Sequence, residues 1–270
     1  MKSSIRLAKG FLLLLSIVVL SACGDVSENA PYESTSHSEE VGNTSSRTVG
    51  NNDTLTRTEE SQVVYILPMA KTDGDMSVER ALANRRSRRN FQDEAITVEQ
   101  LSQILWAAYG ITLPRPDVPN LRGGLRTTPS AGATFPLEIY VVIGNVEGIE
   151  PGVYRYISEE HKIVRVVDGD VRAALSDAAL GQRSVRDAPA TVVHAGVFER
   201  ITGIYGERGI MYTHIEVGHS AQNVYLQAEA LGLGTVAVGA FTDSQVAEIL
   251  NLPENEEPLY LMPIGYFYHN

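Results

Sequence analysis

The sequence has one cysteine and one tryptophan in 270 residues. A single cysteine excludes a disulfide framework and a cysteine-rich metal site. Basic residues are also scarce, because 22 Lys and Arg oppose 33 Asp and Glu, which gives a formal net charge of -11. Nucleic-acid-binding proteins normally present a basic face, so this balance argues against nucleic acid as a partner. With 43% hydrophobic residues, the chain can still form one large domain or two small ones.

The signatures of several common enzyme classes are also missing. The sequence has no Gly-x-Gly-x-x-Gly between a strand and a helix, no Gly-x-Ser-x-Gly elbow and no paired carboxylates. Leu233-Gly234-Thr235 follows a helix and opens a strand, which is the wrong order for a dinucleotide-binding turn. We find no spacing typical of metal ligands, so no metal is predicted.

The N-terminus is predicted to be a targeting segment. Three basic residues precede an apolar run from Phe11 to Leu20, which is too short for a typical transmembrane helix. A basic region, a short apolar region and small residues before a cleavage site are typical of a secretory signal. Leu20-Ser21-Ala22-Cys23 resembles the lipobox of bacterial lipoproteins. We therefore expect a lipoprotein signal peptide over residues 1–22 and lipid attachment at Cys23, with an ordinary signal peptide as the alternative.

The segment after Cys23 is polar and acidic. Residues 24–61 hold eight acidic residues against two arginines, among many Ser, Thr and Asn. Such a composition cannot bury enough apolar surface to offset the entropy of ordering the chain. We expect residues 23–61 to be a disordered tether and residues 62–270 to be the folded domain. The resulting location is the bacterial cell envelope, outside the cytoplasm and anchored to the membrane by lipid.

Helices and strands are predicted to alternate irregularly in the folded domain. Ser77 is expected to cap a helix through about Arg86, while Thr97 and Gln100 form a capping box for a helix that Gly110 ends. The remaining predicted helices are 170–180, 209–231 and a short one after Thr242, and the predicted strands are 63–67, 138–143, 152–157, 162–167, 191–198, 235–241 and 259–266. Residues 111–128 are predicted to be a loop. This order favours an α+β sandwich over a doubly wound sheet.

The charge pattern of the folded domain is interrupted by a basic cluster. Five arginines fall within ten residues, at positions 80, 85, 86, 88 and 89. Guanidinium groups bind phosphate oxygens in pairs, and Ser87 adds a hydroxyl donor. The cluster alone leaves a solvated basic helix end as an equal alternative.

Two further segments contain runs of small residues. Thr127–Pro136 contains residues that would let a flat ligand approach the backbone, and Val236–Phe241 is a predicted strand that ends in small residues. Taken singly, the first is typical of a plain loop and the second of close packing.

Together, these segments resemble those of nitroreductase-like flavoproteins, and most closely the SagB-type thiazole/oxazole dehydrogenases. The matching segments, in order along the chain, are 85–91, 129–140, 152–156, 205–209, 216–223, 231–234 and 262–266. The resemblance covers about residues 75–268, and the set as a whole is specific although no single piece is.

The resemblance implies a homodimer of α+β architecture, in which helices flank a central, mostly antiparallel sheet and two FMN sites lie at the interface. The residues implied to hold the FMN phosphate, ribityl chain and ring edge are Arg85, Arg86, Ser87 and Arg89. Those implied to line the flavin, from the partner subunit, are Pro129, Ser130, Ala131 and Gly132. Those implied to present backbone to the flavin ring are Val238, Gly239 and Ala240. Relatives often carry a basic residue shortly after the last strand, and this chain has none there.

The activity implied by the resemblance is hydride transfer at the flavin N5 to or from a small organic or peptide-derived substrate. Azoline oxidation also needs a base, for which Tyr205, Tyr212 and His214 are candidates, although packing is the more ordinary role of such residues. An exported enzyme lies away from NADPH, so we expect electrons to pass to a quinone, oxygen or another, unidentified, redox partner. The alternative is a non-catalytic, lipid-anchored binding or flavin-sensing module on the same fold.

Overall fold

The computed structural model describes residues 62–268. The predicted signal peptide, the lipid-attachment residue Cys23 and the predicted tether lie outside the described residues. The helices are α1 (Val78–Asn84), α2 (Val98–Tyr109), α3 (Arg172–Ala178), α4 (Arg183–Asp187), α5 (Glu199–Tyr205), α6 (Arg208–Ala230) and α7 (Asp243–Leu250). The strands are β1 (Val64–Ile66), β2 (Ile111–Pro114), β3 (Gly124–Arg126), β4 (Leu137–Ile143), β5 (Gly152–Ile157), β6 (Lys162–Asp168), β7 (Ala190–Gly196), β8 (Gly234–Thr235) and β9 (Glu257–Gly265).

Seven strands form one sheet in the order β1-β6-β5-β4-β7-β9-β8, and every neighbouring pair is antiparallel. Strands β2 and β3 form a separate antiparallel ribbon. The predicted α+β architecture with a mostly antiparallel sheet flanked by helices is confirmed. Among the helices of residues 62–268, not one combines the length and the hydropathy that a membrane crossing requires.

Helices cover both faces of the sheet, and this explains why β4 is apolar at every position except Glu138. Ile139 and Val141 belong to a core that includes residues of α2 and α6. Tyr140 and Val142, which point to the opposite face, belong to a second core with residues of α3, α4 and α7. Successive side chains of a strand alternate between faces, so a strand buried on both faces is mostly apolar. Glu138, the exception, is paired with three arginines.

The predicted helix starts agree with the structure where the signal is local. The Ser77 hydroxyl accepts a hydrogen bond from the backbone N–H of Arg80 and caps α1, which ends at Asn84. Thr97 and Gln100 form both bonds of the capping box of α2, and this helix ends before Gly110. Strand β1 pairs with β6, as expected for a short strand docked at the start of the domain.

Several predicted segments differ from the structure. The region 111–128, predicted to be a loop, contains the ribbon of β2 and β3. The strand predicted over 235–241 is wrong beyond Thr235, apart from an isolated bridge between Val238 and Leu261. The chain leaves the sheet there because the backbone N–H of Ala237 donates to the Tyr225 hydroxyl. Helices α4 and α5 were not predicted.

Candidate functional site

Four of the five clustered arginines, at positions 85, 86, 88 and 89, lie in an extended segment that follows α1 and runs beside β8, whereas Arg80 belongs to α1. Ser87 forms a parallel bridge with Thr235, and the backbone N–H of Arg88 donates to the Thr235 carbonyl at 2.9 Å. A side chain at Gly234 could not fit, since its Cβ would lie 2.7 Å from the Cβ of Arg88 and 2.9 Å from the Phe267 ring. The glycine therefore permits the cluster to pack against the edge of the sheet.

Tyr225 of α6 connects the arginine cluster to the segment after β8. Its hydroxyl lies 3.0 Å from the Ser87 hydroxyl and accepts a hydrogen bond of 2.9 Å from the backbone N–H of Ala237. The Arg85 guanidinium lies over the Tyr225 ring, 5.1 Å from its centroid. Two of the three predicted cofactor-binding segments therefore meet at one tyrosine.

The arginines of this cluster lack acidic partners. Elsewhere, arginines such as Arg115, Arg172 and Arg200 form ion pairs with carboxylates. Among residues 62–268, no carboxylate pairs with the guanidinium groups at positions 85, 86, 88 and 89. Guanidinium groups without paired carboxylates are suitable donors for an anion with more than one negative charge. Arg86 also donates to the backbone carbonyls of Ala83 and Arg85.

Two buried polar atoms beside the cluster have no hydrogen-bond partner. These are Nε of Arg88 and the hydroxyl oxygen of Thr235. Buried polar groups are normally paired, so an unpaired atom calls for an explanation such as a ligand or a water molecule. Four more such atoms, on Arg126, Thr191, His194 and Glu216, lie away from the cluster. The donor set of guanidinium groups and hydroxyls fits the phosphate of a mononucleotide such as FMN.

The residues after β8 expose their backbone. Val238 is buried and pairs with Leu261, whereas Gly239 and Ala240 are exposed. A Cβ at Gly239 would lie 3.1 Å from the Tyr260 ring, and the Ala240 carbonyl accepts a hydrogen bond from the Gln182 side chain. This arrangement offers backbone groups without bulky side chains to a flat ligand.

The third predicted segment, Pro129–Gly132, lies elsewhere on the molecule. The Ser130 hydroxyl accepts a hydrogen bond of 2.9 Å from the backbone N–H of Phe135 and lies beside the Glu216 carboxylate. Glu216 and Tyr225 are nine residues apart on α6, which corresponds to about 14 Å along the helix axis. Within one chain, Ser130 and Ser87 are therefore held near different turns of α6.

The candidate proton-transfer residues divide into two groups. Tyr205 and Tyr212 pack edge to face, with ring centroids 5.3 Å apart, and Tyr205 is also adjacent to Gly132. His214 instead lies against Phe198, and its Nδ1 donates to the carbonyl of Ile210. The tyrosines thus lie next to a predicted flavin-lining segment, and the backbone hydrogen bond of His214 leaves its Nε2 as the proton acceptor.

Glu216 is a buried carboxylate near the same segment. The Tyr109 hydroxyl donates to its Oε1 at 2.5 Å, while Oε2 has no hydrogen-bond partner. Burial raises the pKa of Glu216 to about 7, against the opposing effects of Ser130, Tyr109 and Arg126. This carboxyl group can therefore hold or release a proton near neutral pH.

Sequence reasoning missed four of these residues, which are Arg88, Glu216, Tyr225 and Thr235. Arg88 belongs to the arginine cluster, but it falls at a position that the family pattern leaves unspecified. Tyr225 contacts Ser87 and Glu216 contacts Tyr109, and the two residues of each pair are more than a hundred positions apart in the sequence. No local pattern could have indicated these contacts.

The sheet with helices on both faces defines an α+β protein, and the arginines without carboxylate partners lie at the edge of that sheet. The chain belongs to the nitroreductase family, whose model matches residues 82–266. A nitroreductase homologue of Methanocaldococcus jannaschii is 50% identical over 191 residues, which cover 71% of this chain and 91% of that protein. A crystal structure of a nitroreductase homologue from Ralstonia eutropha superposes with a TM-score of 0.64 at 30% identity, covering 77% of this chain and 90% of that one.

More distant relatives include flavin and peptide-processing proteins. The NADPH-flavin oxidoreductase of Vibrio harveyi is 35% identical over 112 residues, 38% of this chain and 47% of that protein. The microcin B17-processing protein McbC of Escherichia coli is 26% identical over 171 residues, 61% of this chain and 60% of McbC. The protein is thus a nitroreductase-family oxidoreductase with flavin-dependent relatives.

Proposed function

We propose that the protein is an FMN-dependent oxidoreductase of the SagB type that acts as a homodimer. The observation that carries this proposal is the arginine cluster without acidic partners, joined through Tyr225 to the exposed backbone of Gly239 and Ala240. When bound, FMN supplies two-electron hydride chemistry at its N5. The chain binds the phosphate, presents the backbone to the ring and positions the substrate.

The choice of FMN rests on charge. A phosphate monoester carries nearly two negative charges, and the cluster offers guanidinium groups at Arg85, Arg86 and Arg89 with the hydroxyl of Ser87. These donors suit a terminal phosphate. Riboflavin has no phosphate, so its binding provides a direct comparison.

The homodimer is supported by the separation of the predicted segments and by exposed apolar residues. Met211 and Ile215 are exposed on α6 and Leu82 is exposed on α1. A second copy that covers exposed apolar residues would bury apolar surface, which favours association. The Pro129–Gly132 segment and the arginine cluster lie near different turns of α6 within one chain, and a dimer offers a second copy of each.

The likeness to relatives supports the proposed substrate class, and the N-terminal sequence supports the proposed location. We propose a small organic or peptide-derived substrate, in keeping with the likeness to a microcin-processing protein. Residues 1–23 support a lipid-anchored protein on the outer side of the cytoplasmic membrane or beyond it. Electrons from substrate oxidation would then pass to a quinone, oxygen or another redox partner rather than to NADP⁺.

Equilibrium binding of FMN and riboflavin to the purified full-length protein tests the cofactor. The wild type is expected to bind FMN about a hundredfold more tightly than riboflavin, because two or more charged hydrogen bonds hold the phosphate. Arg85→Ala/Arg89→Ala should lower FMN affinity towards that of riboflavin. Arg115→Ala/Arg165→Ala removes the same charge from surface ion pairs and serves as the matched control.

Three outcomes have distinct meanings. Loss of FMN preference in the cluster variant alone supports the proposed cofactor site. Equal loss in both variants would mean that net charge, rather than the cluster, attracts FMN. A wild-type protein that binds neither flavin would overturn the flavoenzyme proposal and favour the non-catalytic binding module.

A further inference from the structure

We infer that Tyr225 is a positioning residue, whose hydroxyl orients the Ser87 hydroxyl so that Ser87 donates its proton to the cofactor phosphate. This inference rests on the proposed function, because it assigns a role within the proposed FMN site. Tyr225 itself is placed behind Ser87 rather than in the set of phosphate ligands.

The inference rests on the hydrogen bonds that the Tyr225 and Ser87 hydroxyls can make. The Tyr225 hydroxyl has one proton and accepts the backbone N–H of Ala237 at 2.9 Å. Its own proton is then free to be donated to the Ser87 oxygen, which lies 3.0 Å away. With its oxygen acting as acceptor, Ser87 can direct its own proton away from Tyr225.

An anionic ligand needs this direction of donation. Phosphate oxygens accept hydrogen bonds and have no proton to give when fully ionised, so Ser87 can contribute only as a donor. Ser87 is exposed in the described chain, beside the unpaired guanidinium groups. A Tyr225 hydroxyl that donates to Ser87 leaves the Ser87 proton available to an anion.

The tyrosine ring contributes a second contact. The Arg85 guanidinium lies 5.1 Å from the ring centroid, within the range of a cation–π interaction. A phenylalanine at this position would keep that contact and lose only the hydroxyl. Tyr225→Phe therefore isolates the proposed role of the hydroxyl from the packing of the ring.

The experiment measures the affinities of the full-length protein for FMN and for riboflavin. In Tyr225→Phe, the preference for FMN over riboflavin is expected to fall by up to about tenfold, because the Ser87 hydroxyl is no longer held in the orientation that donates to the charged phosphate. In a Ser87→Ala background, the same Tyr225→Phe change should leave the preference almost unaltered, because the group that Tyr225 orients is already missing. Tyr65→Phe, on β1 at the sheet edge opposite β8, is the control.

The ratio of affinities separates positioning from general damage. A merely structural role would lower the melting temperature of the flavin-free protein and weaken both flavins alike, leaving the ratio unchanged. That result, with a wild type that prefers FMN, would overturn the inference while the proposed function stands. A wild type that binds neither flavin would overturn both.

Discussion

Tyr109, the last residue of α2, donates a hydrogen bond of 2.5 Å to Glu216 in the middle of α6. Tyr109 and Glu216 are each only 2% exposed. The Arg126 guanidinium lies over the Tyr109 ring, 4.6 Å from its centroid. Burial, reinforced by Glu216, raises the pKa of Tyr109 well above its usual range, so the tyrosine remains the donor. This pair ties two core helices together beside Ser130.

Glu216→Gln is expected to abolish a pH dependence of stability. Burial raises the pKa of Glu216 from 4.5 to about 7, so between these values the folded protein keeps a proton that the unfolded chain releases. Glu216 therefore contributes about 3 kcal/mol to the unfolding free energy below pH 4.5, and this contribution is lost as the pH rises through about 7. Denaturant titrations of both proteins at about pH 5 and about pH 8 measure the difference in unfolding free energy.

Glu248→Gln, at an exposed position of α7, is the control for the loss of a carboxylate. It should follow the wild-type pH dependence, since it leaves Glu216 in place. If Glu216→Gln and the wild type lose stability in parallel over this range, the shifted titration of Glu216 is wrong.

A second buried carboxylate should show the opposite pH dependence. Burial disfavours the charge of Glu138, but Arg155, Arg200 and Arg122 outweigh it and lower its pKa from 4.5 to about 2. Glu138→Gln leaves three guanidinium groups without their shared partner, so we expect it to cost about 3 kcal/mol near neutral pH. Because the folded pKa is lowered, this difference should be complete above pH 4.5 and shrink as the pH falls towards 2.

Acid-range denaturation of the wild type and of Glu138→Gln tests this expectation. Glu150→Gln, which removes an exposed partner of Arg165, should change the unfolding free energy by less than about 1 kcal/mol at every pH. A difference for Glu138→Gln that stays constant down to about pH 2 would contradict the assigned role of the arginines.

The elements that could be predicted from the sequence are those whose determinants are local. Ser77 and the pair Thr97 and Gln100 lie within four residues of the N–H groups that they cap, so their roles are visible in a short window. The arginine cluster likewise falls within ten residues of the sequence. By contrast, α5 starts at Glu199 without a side-chain cap and gave no such signal.

Contacts between distant parts of the chain explain what could not be predicted. The strand expected over 235–241 stops at Thr235. The backbone N–H of Ala237 then donates to the Tyr225 side chain on α6 rather than to a neighbouring strand. The burial of Glu216 depends on Tyr109, 107 residues earlier. Propensity and periodicity describe residues that are neighbours in sequence, and they cannot indicate the contact of Ala237 with Tyr225 or that of Glu216 with Tyr109.

Lipid attachment at Cys23 is a prediction from the sequence alone. In a bacterial host, the full-length protein should incorporate labelled fatty acid and partition into detergent, since each buried CH2 contributes about 0.8 kcal/mol to anchoring. Cys23→Ala should abolish the labelling. Ser21→Ala keeps a small residue before the cysteine and should retain it. Unlabelled wild-type protein with a cleaved N-terminus would instead indicate an ordinary signal peptide.

Gly132→Ala should destabilise the protein for two separable reasons. The backbone of Gly132 has a φ of 59°, which costs a residue with a side chain about 1 kcal/mol or more. A Cβ at this position would also lie 2.6 Å from the Tyr205 hydroxyl, so the loop or the tyrosine must move. The unfolding free energy of Gly132→Ala is expected to fall by about 2–3 kcal/mol.

Gly181→Ala separates the two causes, because Gly181 has a φ of 74° and no atom within 4 Å of an added Cβ. It should show the backbone cost alone and therefore lose less stability than Gly132→Ala. Adding Tyr205→Phe to Gly132→Ala removes the oxygen that the methyl group meets, and should restore part of the difference but not the backbone cost. If Gly132→Ala and Gly181→Ala are equally destabilising, Tyr205 does not pack against this segment, and its place among the candidate proton-transfer residues loses its structural support.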